Sequence, residues 1–309
     1  MPQLQRLLCT FILLASTSAH SAILEIREHN DIVYALSSEK QILRYDLESA
    51  TALPTLQLLH NTQFFTISDT QIITANNREL RSVSLVDGSI SYIGGTSSDV
   101  SAIAAEDGVI LTFESDNYSR TYSSEGAILD DRNFYRSQNY TFIQEKSATS
   151  ITYIDTSYRD VCQVSISSSN YPTSTCGDLY SLGEVTTGIA ASEEDIIVNT
   201  GYVFNASERK FSSRVPATNI QASARLDDAL LLKTSTGELE QYSISGVKQG
   251  QYEGTGTENY LTSHGNSFVA MTITDENITA AYLSPESDLT STTLISEAPP
   301  LPENHSSIV

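Results

Sequence analysis

The chain has 309 residues, 39% of them hydrophobic and only 18% charged, which supplies a sizeable core and excludes a wholly disordered polymer. Its 38 Asp and Glu outnumber 17 Lys and Arg for a formal charge of −21, a surface that repels nucleic acid and anionic lipid.

Residues 1–21 read as a cleavable export signal. Arg6 gives a positive start, residues 7–15 (LLCTFILLA) form a short apolar run, and Ala19 and Ser21 place the cut after Ser21. The run is short for a bilayer span, and nothing after Ala22 approaches one. The expected address is therefore periplasmic or extracellular, with no integral membrane segment once the signal is removed. Losing Arg6 and no acid leaves the mature chain at −22.

From residue 23 a unit recurs. An acidic or amide turn residue introduces a short apolar strand at Asp31 (IVYA), Asp69 (TQIITA), Asp107 (GVIL), Asn139 (YTFI), Asp195 (IIV), Asp228 (ALLL) and Asn266 (SFVA). These anchors lie 38, 38, 32, 56, 33 and 38 residues apart, and a period near forty with several short strands per period predicts a β-propeller. The clearest copy spans residues 226–245. Before each anchor comes a candidate inner strand, often rich in Ala and Ser, as in residues 100–104, 188–191 and 220–224. The apolar second strand follows, flanked by sheet on both sides. Alternating third strands are read at residues 42–47, 80–85, 151–154 and 239–244, each leading to a short polar outer strand that blunts the edge.

The predicted fold is all-β: seven blades of four antiparallel strands over residues 23–297, with six or eight blades as the alternatives, and a Pro-rich tail over residues 298–309. Residues 292–295 read as the outer strand of the last blade. Each blade then uses consecutive strands, and first and last blades meet through side-chain packing.

The 56-residue interval contains Cys162 and Cys176. In an oxidising compartment this pair predicts a disulfide across a hairpin centred near Ser169, stabilising by ~2–3 kcal/mol. The interval reads as one blade with an enlarged outer hairpin, or as a blade plus a degenerate eighth.

With this spacing, and with phrases such as RYDLES (residues 44–49) and VSLVDGS (residues 83–89), the chain resembles the degenerate seven-bladed propellers of secreted bacterial proteins, the broad group that includes WD-repeat-like and quinoprotein-like rings. There is no Trp, so the Trp-Asp dipeptides and tryptophan docking motifs of those groups are missing. The resemblance implies architecture and transfers no functional residue.

Chemistry-bearing patterns are sparse, and no catalytic, cofactor-binding or metal-ligating residue is assigned. His29, His60, His264 and His305 lack metal-ligand spacing; His29 and His264 hold equivalent turn positions, read as exposed turn histidines that could approach each other across the ring seam. The acid pairs Asp130-Asp131 and Asp227-Asp228 and the triplet Glu193-Glu194-Asp195 read as solvated turns. Gly254-Thr255-Gly256 precedes a strand, so it does not open a phosphate-binding helix. Sequons fall at Asn117, Asn139, Asn205, Asn277 and Asn304. The expected function is a non-enzymatic, monomeric module that binds a protein or peptide on its turn-rich face, or serves as a scaffold. The alternative is a hydrolase or lyase whose site draws Asp, Glu, Tyr and His from different blades into the central funnel.

Overall fold

The apolar second strands are the key to the architecture. In ALLLKT (Ala229–Thr234), Leu230 and Leu232 pack into one core and Leu231 into the next, so both faces of the strand are covered. No single sheet satisfies such a strand, and a neighbour is required on each side. The computed structural model answers with a ring of seven antiparallel sheets and seven hydrophobic clusters, one at each seam. It describes residues 22–285 except 59, 69, 134–139, 144–145, 147, 167–171, 180–184, 186, 209 and 218.

Blade 1 consists of β1 (Ile23–His29), β2 (Ile32–Ser37), β3 (Gln41–Asp46) and β4 (Thr51–Gln57), hydrogen-bonded in that order. Blades 2 to 6 repeat the plan, and blade 7 comprises β25 (Tyr260–His264), β26 (Ser267–Ile273) and β27 (Ile278–Leu283) among the described residues. Its expected outer strand at 292–295, like the export signal and the tail, lies outside them. The outer strand β4 is largely exposed, and β20 (Lys210–Arg214) is both polar and partly exposed.

The anchors Asp31 and Asp107 have a conformational cause. In blades 1 and 3 the inner and second strands join through two-residue turns whose backbones enter the left-handed region: φ is 49° and 58° at Asn30 and Asp31, and 49° and 78° at Asp107 and Gly108, while Asp195 instead lies within β18 (Asp195–Val198). Asn, Asp and Gly tolerate that region best, and the resulting turn matches the twist of the strands it joins. These turns, together with those between third and outer strands, crowd one face of the ring.

Blade 4 corrects the sequence reading. Its strands are β13 (Tyr140–Phe142), β14 (Ser150–Asp155), β15 (Asp160–Ile166) and β16 (Pro172–Asp178). Tyr140–Phe142 is thus the inner strand, residues 151–154 belong to the second, and the cysteine hairpin is the ordinary third and outer pair. No enlarged outer hairpin or extra blade is needed. Two features displaced the reading by one strand: this inner strand is aromatic instead of small, and residues 143–149 replace the two-residue turn. Second strands begin at Ile32, Gln71, Val109, Ser150, Asp195, Ala229 and Ser267, so the true period stays between 34 and 45 residues.

Cys162 and Cys176 face each other across β15 and β16 with Cα atoms 4.1 Å apart, and they form the expected disulfide. The hairpin tip near Ser169 is outside the described residues. Beside the bridge, Gly177 has no room for a side chain, because a Cβ there would lie 2.1 Å from the Phe204 ring of blade 5.

The ring closes between blades 7 and 1 without a shared strand among the described residues. Val269, Met271 and Ile273 pack on Ile26, Val33 and Leu43. Polar contacts add to that packing: Tyr282 donates to the Leu47 carbonyl at 2.6 Å, and Thr262 donates to the Glu28 carboxylate at 2.7 Å.

Candidate functional site at the axial funnel

Inner strands converge on the axis, so whatever their ends carry is brought together there. A cavity of about 330 Å³ opens at the centre of the turn-crowded face. Its wall comes from Glu28, His29 and Asp31 of blade 1, Lys146 and Thr149 of blade 4, Ser192 and Glu193 of blade 5, Arg225 of blade 6, and Thr262 and Ser263 of blade 7. Residues as far apart in the chain as Glu28 and Ser263 thus share one site.

Lys146, Ala148 and Thr149 of the blade 4 connection line the funnel. Lys146 offers its carbonyl to the Glu28 amide at 3.0 Å, and the Ala148 carbonyl accepts from the Ala105 amide at 2.8 Å and the Thr66 hydroxyl at 2.7 Å. Blades 1, 2 and 3 therefore all hold this segment by hydrogen bonds. The Lys146 side chain crosses to blade 7, donating to the Leu261 carbonyl and lying 4.6 Å from the Tyr260 ring centre. Lys146 is only 7% exposed. Burial pushes its amine down to about 8, with the charge of Glu28 pulling in the opposite direction. Glu28 in turn accepts from Thr262 and from Tyr260 at 3.2 Å, and burial foremost, then that carboxylate, holds the Tyr260 phenol well above its ordinary range.

Deeper in the ring, Glu25 and Arg27 alternate on β1 and form a buried ion pair at 2.7 Å. Arg27 also donates to the Ile103 carbonyl at 3.1 Å, while Glu25 accepts from the Phe65 amide at 2.8 Å. The pair ties blade 1 to blades 2 and 3. Desolvation raises the Glu25 carboxyl, against the lowering effect of Arg27.

On the far wall, Asp195 is buried and fully engaged, which corrects its reading as part of a solvated acidic turn. Asn205 donates to it at 3.0 Å, Ser192 at 3.1 Å, and Arg225 reaches it from the next blade. The amide of the Asn205 sequon is thereby committed and buried within the folded ring. Glu193 and Glu194 remain exposed, as expected for turn residues. Asp227 and Asp228 form the predicted turn, whereas Asp130 and Asp131 lie within β12 (Ile128–Asn133), where Asp130 pairs with Arg132 at 3.1 Å. His264 meets the blade 1 turn through Asp31, at 3.2 Å, while His29 contacts the neighbouring Asn30. The Gly254-Thr255-Gly256 loop is exposed but anchored from beneath: Glu258 accepts from the Thr255 amide at 2.6 Å, and Lys233 donates to the Gly256 carbonyl at 2.8 Å.

Among the described residues, no group of three His, Cys, Asp or Glu is placed to hold a metal ion. Nor is any helix long and apolar enough to cross a membrane. Lys146, Arg225 and Glu28 were not singled out by sequence reasoning. The available signal was a basic residue interrupting otherwise small or apolar inner-strand surroundings, which Arg27 and Arg225 both show.

Solved structures share this fold. The chain is similar to the computationally designed Ika8 protein, with a TM-score of 0.58 and 12% identity over 85% of this chain and 97% of that one. It is also similar to U3-55K, with a TM-score of 0.54 and 12% identity over 82% of this chain and 91% of that one. Identity this low carries the fold and nothing further. Neither a family model nor a curated protein matches the chain. Fold and funnel together define a seven-bladed β-propeller.

Proposed function

We propose that this is an exported, monomeric, non-enzymatic propeller that binds a protein or peptide on the face around the funnel, or spaces such partners as a scaffold. The observation that carries this reading is the state of the polar groups at the axis. Glu25, Arg27, Glu28, Asp195 and Arg225 are bound to one another or to neighbouring blades, which makes the centre a rigid platform. What faces outward is a ring of turns bearing exposed Asp31, Glu106, Asp107, Glu193, Glu194, Asp227 and Asp228. Such a surface suits a basic segment of a partner and disfavours nucleic acid. The disulfide fits an oxidising compartment.

The test is fluorescence anisotropy with basic, neutral and acidic peptide pools against the parent and a D31N/E193Q/D227N variant. Basic peptides should bind the parent, weaken with salt, and lose affinity in the variant. Equal binding of all three pools, or none, rejects the reading.

A second reading, a hydrolase or lyase, is favoured by one observation. Glu28, His29, Asp31 and Glu193, from opposite sides of the ring, line one cavity. Turnover in a substrate screen that disappears in E28Q would establish it in place of the first.

A further inference from the structure

The chain contains two buried lysines whose surroundings differ in kind. Lys233 is 3% exposed and its nitrogen meets three oxygens: the Gly256 carbonyl, the Glu258 carbonyl and the Glu258 carboxylate at 3.4 Å. Three acceptors match the three donors of an ammonium. Lys146 is 7% exposed, yet among the described residues its nitrogen meets one oxygen, the Leu261 carbonyl, and one ring face. It borders the funnel on one side and a small cavity behind Ile189, Ala222 and Tyr260 on the other. One oxygen and one ring face leave the three donors of an ammonium under-satisfied in comparison with Lys233, and the neutral amine, giving one N–H to Leu261, keeps its lone pair available. No carboxylate forms an ion pair with it among the described residues.

We propose that Lys146 is the nucleophile of a carbonyl-binding site, its amine condensing reversibly with a small uncharged or cationic aldehyde that enters the funnel. The amine lone pair attacks the carbonyl carbon, a C–N bond forms, and the carbonyl oxygen takes a proton to give a carbinolamine. Loss of that oxygen as water leaves the imine, and water addition reverses both steps, so no oxidant or reductant takes part. Burial favours the reactive neutral form of the amine. Glu28, Asp31 and Glu193 at the wall disfavour an anionic aldehyde, and Arg225 is already committed to Asp195.

The experiment treats the mature chain with propionaldehyde and cyanoborohydride and maps the alkylated lysines by mass spectrometry. The sequence holds five lysines, and exposed Lys40 is the internal reference. Near neutral pH, Lys146 is expected to alkylate at least ~10-fold faster than Lys40, with the preference shrinking as pH rises past ~10 and ordinary amines deprotonate. Reaction at Lys146 no faster than at Lys40 overturns the proposal. A lysine ε-carbon NMR titration gives a second readout: a midpoint near 8 at Lys146 supports the site, and a midpoint at or above ~10 overturns it. Lys146→Arg should remove the fast alkylation while retaining the parent circular dichroism; persistence of the fast phase also overturns it. The outcome is separable from peptide docking, since the D31N/E193Q/D227N variant should lose basic peptides and keep the reactive amine.

Discussion

Blades 4 and 6 solve the same packing problem by different means. In blade 6, β21 (Ile220–Leu226) turns into β22 (Ala229–Thr234) through Asp227-Asp228, the inner strand contributes Ala222 and Ala224, and the buried Lys233 is surrounded by oxygens. In blade 4 the equivalent turn is the segment 143–149, and the inner strand contributes Tyr140 and Phe142, which stack edge-on against Phe113 at 5.3 Å. Here a disulfide fastens the third and outer strands, and the buried lysine has one acceptor. The difference teaches that a propeller tolerates one irregular blade when its neighbours and a covalent link hold it. The irregularity is where the axis acquires its unusual side chain.

The largest expected effect tests the satisfied lysine. Lys233→Ala leaves Glu258 buried without its cation and should cost ~3–5 kcal/mol in urea unfolding. A loss below ~1 kcal/mol would mean that Lys233 is no better placed than a surface lysine.

Next comes the covalent link. Reducing Cys162–Cys176, or replacing both by Ala, should cost ~2–3 kcal/mol, and hydrogen exchange should quicken in β15 and β16 before β22. Uniform quickening around the ring would remove the distinction between the two blades. At the adjacent seam, Gly177→Ala forces a methyl group into the Phe204 ring and should cost ~1–3 kcal/mol by thermal melting.

The smallest change is expected at the under-satisfied lysine. Lys146→Met removes a buried amine that has one oxygen acceptor among the described residues, so stability near neutral pH should stay within about 1 kcal/mol of the parent or rise. The pH dependence is the sharper measure. The amine loses its proton near 8 in the folded ring and nearer 10.4 when unfolded, so between those values the unfolded chain binds more protons. The parent should therefore gain stability as pH rises from 8 towards 10, and Lys146→Met should lack that gain. Beyond this window the raised phenols, Tyr282 at about 12 and Tyr260 higher, act in the opposite sense.

Much of the architecture was legible in local chemistry. Left-handed turn residues such as Asp31 and Asp107, double-sided apolar strands such as ALLLKT, and polar outer strands repeat because each is required by its own few neighbours. The cysteine pair was legible for the same reason, its partners being fourteen residues apart across one hairpin. Blade 4 misled because a long segment and an aromatic strand broke the local pattern while the period survived.

By itself, then, the sequence determined the repeating unit and the cysteine bridge, since strand alternation and turn conformation are set by adjacent residues, while the count of seven, read with six and eight as alternatives, was fixed by the ring. Only the tertiary structure decided what the axis contains. Closing the ring brings Glu28, Lys146, Arg225 and Thr262 within one cavity although they lie far apart in the chain. Burial and partner geometry then distinguish Lys146 from Lys233, a difference that residue type alone does not carry.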